Sequence, residues 1–97
     1  MTCRLLLSPK AQADLEQIWE HTTERWGMEQ AEVYTRVLWQ HLNGIATHPG
    51  LGTSCPIIRP GYRRFKSGTH VIFYQQAGDD VSIIRILHER MDFERHI

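Results

Sequence analysis

The stretch LSPKAQADLEQIWEHTTERWG, residues 7–27, decides the fold of this chain. Leu15, Ile18, Trp19, Thr22 and Trp26 recur at helical spacing and form one face. Ser8 can cap free N–H groups, and Pro9 suits the first helical position. Glu16, Glu20 and Glu24 line another side. Gly27 ends the helix, and a second begins near Met28 with Ala31, Tyr34, Leu38, Leu42 and Ile45 on one stripe. Helices joined so tightly form an antiparallel hairpin. The aromatic stripe reads as core packing and not as a cofactor slot, so no cofactor is expected.

Upstream, CRLLL (3–7) is short and apolar and reads as a buried strand. Downstream, HPGLG (48–52) breaks the helix, and the period then becomes strand-like. Strands are predicted at 62–66, 69–76 and 81–88, with Ser67-Gly68 and AGDD (77–80) as turns. The tail, 89–97, reads as a short helical or irregular arm. The predicted fold class is α/β, more narrowly α+β: an N-terminal strand, an antiparallel helical hairpin and a three-stranded antiparallel meander, with the helices on one face of the sheet.

With Ser67-Gly68 as the turn, Phe65 pairs with His70 and Arg63 with Ile72; beyond the second turn, Ile72 pairs with Arg85 and Tyr74 with Ile83. One face then holds Arg63, Phe65, His70, Ile72, Tyr74, Ile83, Arg85 and Leu87. The other, with Tyr62, Val71, Phe73, Ile84 and Ile86, is assigned to the helix-covered core. The first face is half apolar, carries two Arg and wants covering.

The chain has 97 residues, enough for one domain over 1–97 with 91–97 as a C-terminal arm. The absence of a long apolar run or a visible signal peptide points to the cytoplasm and away from membranes. Cys3 and Cys55 form no CxxC pair and read as reduced thiols. The zero net charge hides an asymmetry: residues 1–52 carry four Lys/Arg against six Asp/Glu, and residues 53–97 carry seven against five. The basic run from Arg59 to Lys66 reads either as a solvated edge strand or as a site for phosphate or acidic protein.

HERMD (88–92) fails as a zinc motif, because its fifth residue is Asp92 and it leaves a strand. No metal site is expected. Metal-free RNA cleavage needs a base, an acid and cations around the phosphorane. His88 or His70 fits the first two roles, and Arg63, Arg85 and Lys66 the third, with Glu89 assisting. The register, however, puts His70 and His88 on opposite faces, which weakens a paired scheme.

LSPKAQADLEQIWEHTTERWG (7–27), ATHPGLG (46–52), RPGYRRFKSGTHVIFY (59–74) and IIRILHERMDFERHI (83–97) together resemble ParE-type toxins of the RelE/ParE superfamily, from bacterial type II toxin–antitoxin systems. The resemblance implies growth arrest through inhibition of DNA gyrase, a role in plasmid stabilisation, and neutralisation by a ParD-like antitoxin in a hetero-oligomer. RelE-type relatives instead cut mRNA in the ribosome, and Arg63, Arg64, Lys66, Arg85 and His88 partly echo their catalytic set. Zero net charge suits poorly an enzyme that enters a polyanionic ribosome, so no direct specific nucleic-acid binding is expected. The expected role is a binder, not an enzyme, with metal-free endoribonuclease as the alternative through His88, Arg85, Arg63 and Lys66. Arg63, Phe65, Ile72, Tyr74, Arg85 and Leu87 are expected to hold the antitoxin. Arg64, Lys66, Arg90, Phe93 and Arg95 are expected to meet the target.

Overall fold

A computed structural model describes residues 3–97. In chain order the elements are β1 (Arg4–Leu7), α1 (Pro9–Trp26), α2 (Met28–Thr47), a 3-10 turn (Pro49–Leu51), β2 (Thr53–Ser54), β3 (Tyr62–Ser67), β4 (His70–Ala77), β5 (Asp80–His88) and α3 (Phe93–His96). The predicted strand, hairpin and meander are all present, and the two-residue β2 is an addition; β1, expected to be buried, instead lies at the sheet edge with Arg4 and Leu6 exposed. The five strands form one sheet in the order β1-β5-β4-β3-β2. β1 runs parallel to β5, and the other neighbours are antiparallel.

The Ser8 hydroxyl accepts from the Ala11 N–H at 3.0 Å, capping α1, and donates to the Ile84 carbonyl at 2.7 Å. One side chain thus starts the helix and docks it on β5. Pairing between β1 and β5 stops at Leu7↔Ile83. Beyond that point the β5 edge has no strand to bond, and unpaired backbone groups are costly. Asp14 on α1 meets the need: its Oδ2 accepts from the Ile86 N–H at 2.9 Å. The same carboxylate takes both prongs of Arg85, Nε at 2.8 Å and a terminal nitrogen at 2.8 Å.

The register departs from expectation in two ways. The first turn is Gly68-Thr69, closing Ser67↔His70, so Phe65 pairs with Ile72 and Arg63 with Tyr74. Gly68 sits at φ +60°, and a Cβ there would lie 2.7 Å from the Tyr34 ring. Only glycine permits both the turn and the tyrosine lying across it. This slip moves partners by two residues and leaves the faces of β3 and β4 as predicted. The second departure is a β-bulge. Tyr74 pairs with Ile83 as expected, but Phe73 then pairs with Arg85, Ile72 with Ile86 and His70 with His88. Ile84 is the extra residue, and beyond it every β5 side chain changes face.

On β3 and β4 the helices cover the face opposite to the one assigned from sequence; on β5 the bulge returns Ile86 to the helix-covered core, where it was expected. Ala11, Ile18, Leu38, Leu42 and Ile45 pack on Ile72, Tyr74, Val81, Ile83 and Ile86, with Phe65 and Leu15 at the margin. Fully burying each large side chain here stabilises by roughly 1.5–3 kcal/mol. On the other face Cys55, Val71, Phe73 and Leu87 form a second cluster, covered by Ile58, Tyr62, Phe93 and Ile97. The arm supplies two of these four, Phe93 and Ile97, and the Phe93 ring meets Phe73 edge-on at 4.8 Å. Trp26, expected on the buried face of α1, is 67% exposed because it lies on the last turn of α1.

Candidate functional site

At the mouth of the helical hairpin a cleft of about 700 Å³ opens between the end of α1, the first half of α2, the β3–β4 turn and the end of β5. Its apolar wall is Trp26, Val33 and Val37, each well exposed for its type. Arg25 and His21 from α1 and Arg90 beyond β5 supply basic groups. Glu89 also lines the cleft, but Lys66 lies 2.9 Å from its carboxylate and holds it below the usual carboxylate range.

The floor is a hydrogen-bonded network around Tyr34. Its hydroxyl accepts from the Thr69 N–H at 3.1 Å and lies 2.6 Å from His70 Nδ1 and 3.2 Å from the Ser67 carbonyl. His70 stacks edge-on against Tyr34, ring centres 5.6 Å apart, and against His88 at 5.5 Å. The Arg90 N–H donates to His88 Nδ1 at 3.2 Å. Beneath the turn, the buried Ser67 hydroxyl meets His41 Nδ1 at 2.7 Å. Burial first, then the neighbouring His88, pushes His70 down to about 4, so it is neutral near pH 7.

The six residues expected on an open, antitoxin-binding face do not form one. Ile72 and Tyr74 are fully buried beneath the helices, Phe65 packs beside them, and Leu87 is buried in the second cluster. Tyr74 is also tied down at its tip, donating to the Pro49 carbonyl at 2.6 Å and accepting from Gly52 N–H at 2.8 Å. Arg63 is spent on the same loop, donating to the Gly52 carbonyl at 2.7 Å. Arg85 is held by Asp14 and donates onward to the His96 carbonyl at 2.6 Å. The cause is the inverted face assignment compounded by the bulge.

The four residues of the cleavage scheme are dispersed in the same way. Arg63 and Lys66 point to opposite faces of β3, Arg85 is committed to Asp14, and Lys66 to Glu89. His88, by contrast, lies on the same face as His70, directly across the ladder, which corrects the expectation of opposite faces. Among the residues expected to meet a target, Arg64, Lys66, Arg90 and Arg95 are exposed, whereas Phe93 is half-buried and anchors the arm. Sequence reasoning missed Tyr34, Ser67 and Thr69 as one network. Its signal was the polar run Ser67–His70 interrupted by a glycine, opposite a tyrosine on the α2 stripe.

Among the described residues, no group of three or more His, Cys, Asp or Glu is placed to hold a metal ion, and no helix is long and apolar enough to cross a membrane.

Residues 5–93 match the family model described as the ParE toxin of the type II toxin–antitoxin system parDE. The chain is 46% identical over 98 residues to Toxin ParE1 of Mycobacterium tuberculosis, covering the full length of both. It is 47% identical over 91 residues to Toxin ParE1 of Caulobacter vibrioides, covering 94% of each. Toxin ParE of Escherichia coli is 32% identical over 88 residues, with 90% of this chain and 85% of that protein covered. Among solved structures, a chain of the chromosomal ParDE system from P. aeruginosa superposes with a TM-score of 0.78 at 22% identity, covering 90% of this chain and 96% of that one.

Proposed function

The chain belongs to the ParE toxin family of type II toxin–antitoxin systems, and from that premise we propose that it arrests growth by binding DNA gyrase in the cytoplasm, held in check by a ParD-like antitoxin. Gyrase breaks and rejoins DNA, so a protein that holds the broken state is toxic without catalytic turnover. Such a binder needs an exposed surface of fixed shape. The observation that carries this reading is the contrast among the basic residues. Arg63 and Arg85 are consumed by structural bonds, whereas Arg64, Arg90 and Arg95 stand exposed. The test is supercoiling of relaxed plasmid by gyrase with the toxin added. Inhibition that an antitoxin reverses is expected; full supercoiling with toxin in large excess overturns the gyrase assignment.

One observation favours metal-free RNA cleavage as a second reading: the His70–His88 pair, with ring centres 5.5 Å apart inside the cleft. Two imidazoles so close resemble an acid–base couple. Ribosomes programmed with mRNA and mixed with the toxin decide it. Codon-specific cuts that vanish in His88→Ala establish the second reading and displace the first.

A further inference from the structure

We propose that a shallow apolar pocket at the start of α1, rimmed by exposed cations, anchors the toxin on its target: it receives one large apolar side chain of gyrase with acidic residues beside it. The inference rests on the gyrase reading above and names the point of contact.

The pocket, of about 640 Å³, lies between the first turn of α1, the β5 bulge and the end of the arm. Pro9, Tyr62, Ile84 and Ile97 form its walls. Ile84 is there because of the bulge: it is the residue left over where Ile83 pairs with Tyr74 and Arg85 with Phe73, and it is only half-buried. Bulges re-aim a side chain out of the alternation of a strand. Ser8 pins this one through the Ile84 carbonyl, and Asp14 through the Ile86 N–H. The bonds that hold α1 on β5 therefore also shape the pocket.

Its charge is one-sided. No acidic side chain lines it, and the first turn of α1 has none. Arg85 is matched by Asp14, but Lys10 and Arg59 are exposed and, among the described residues, form no ion pair. The arm carboxylates Asp92 and Glu94 are exposed and lie outside the lining. Arg64, exposed opposite Phe73, extends the basic surface on the same face of the sheet.

Complementarity selects the occupant. An apolar side chain entering the pocket sheds water from Tyr62, Ile84 and Ile97. Flanking carboxylates meet Lys10 and Arg59 at the rim, where charge steers encounter and fixes orientation. A phosphate backbone uses the cations and leaves the apolar walls wet. The pocket shares no lining residue with the hairpin cleft, so a contact here is separable from one made there. It lies on the face that carries Arg64 and the arm, whose exposed arginines are among those proposed above to meet gyrase.

The test is supercoiling of relaxed plasmid by gyrase with the full chain added, as wild type, as Arg59→Glu, as Lys10→Glu combined with Arg59→Glu, and as Ile84→Lys. Both rim residues are exposed, and a glutamate in the first turn of α1 suits the helix, so the rim variants are expected to melt as the wild type does. Half-inhibition is expected to need about tenfold more toxin for Arg59→Glu and more still for the double variant, with binding to a co-expressed ParD-like antitoxin unchanged. Ile84→Lys, which puts a charge in the apolar wall, is expected to act in the same direction; should it unfold, the rim variants decide alone. A double variant that loses antitoxin binding equally overturns the proposal and gives the pocket to the antitoxin. A short DNA duplex that binds the wild type and not the double variant overturns it in favour of phosphate. Wild-type toxin without effect on supercoiling removes the gyrase reading and this inference together, whereas equal inhibition by wild type and double variant removes this inference alone.

Discussion

The two faces of the sheet are covered in different ways. On one, two long helices bury Ile72, Tyr74, Ile83 and Ile86 against Leu38, Leu42 and Ile45, nearly all of them inaccessible to water. On the other, Phe93 and Ile97 from a short arm, with Ile58 and Tyr62, cover Cys55, Val71, Phe73 and Leu87. The first cover is held by many side chains distant in sequence. The second hangs largely on one aromatic contact and on the bond from Arg85 to the His96 carbonyl. Regions of low contact density open first, so the arm is a unit that detaches below the cost of global unfolding. Arg85 joins the two covers, because the guanidinium that bonds the arm also pairs with Asp14 of α1.

The sharpest way to break this comparison is to remove Asp14. Its carboxylate accepts from Arg85 and from the Ile86 N–H, and both side chains of the pair are largely buried, at 15% and 9% exposure. Asp14→Ala leaves Arg85 without its partner and the β5 edge unbonded. The expected loss is about 3–5 kcal/mol in chemical denaturation. Both covers depend on this residue, so thiol reactivity at Cys55 is expected to rise with it. Unchanged stability would show that water satisfies the β5 edge as well as Asp14 does.

Removing residues 91–97 separates the covers. The expected loss is smaller, roughly 1–3 kcal/mol, because Phe93 and Ile97 are only partly buried. Cys55 lies beneath this cover, and burial pushes its thiol pKa up. Truncation is expected to speed its modification while hydrogen exchange in α2 stays slow. Equal loss of protection on both faces would mean that the arm and the core form one cooperative unit.

Much of this architecture was legible in the sequence. Ser8-Pro9, Gly27 and the stripe from Ala31 to Ile45 fix both helices, because caps and periodicity are local signals. The three meander strands were legible for the same reason. Which face the helices cover was not, since both faces of β4 are apolar: Val71, Ile72, Phe73 and Tyr74 are consecutive and all buried. A strand buried on both sides has no alternation to read. The bulge at Ile84 was equally silent. It is stabilised by Ser8 and Asp14, some seventy residues away, and no local pattern announces such a contact. The candidate site suffered most. Arg85 looked free only because its partner lies on a distant helix, and the His70–His88 pair depends on the bulge.

The cleft carries a smaller, pH-dependent effect. His70 is pushed down to about 4 from an ordinary 6.5, chiefly by burial, so the unfolded chain binds its proton more readily than the folded one. Stability is therefore complete above about pH 6.5 and falls as pH drops towards 4. The ring is partly exposed and screened, so the expected loss is about 1–2 kcal/mol, less than the full shift would give. His70→Asn is expected to flatten this part of the stability curve. A wild-type curve already flat over that window would show that the folded ring titrates like a free one.

The smallest expected effect on stability is also the one that bears most directly on the target. Arg64 sits across from Phe73 on the arm-covered face, yet it is exposed. Arg64→Ala is expected to change stability by no more than about 0.5 kcal/mol, as exposed substitutions usually do. If this part of the face meets gyrase, the same variant loses inhibition of supercoiling while keeping its fold and its antitoxin. Removing the arm then distinguishes a contact made by the sheet from one made by the tail. Inhibition lost in Arg64→Ala but kept without residues 91–97 assigns the contact to β3. The reverse assigns it to the arm, with Arg95 the next residue to change. Inhibition kept in both variants clears Arg64 and the arm and leaves Lys66 and Arg90, both exposed, as the next residues to change.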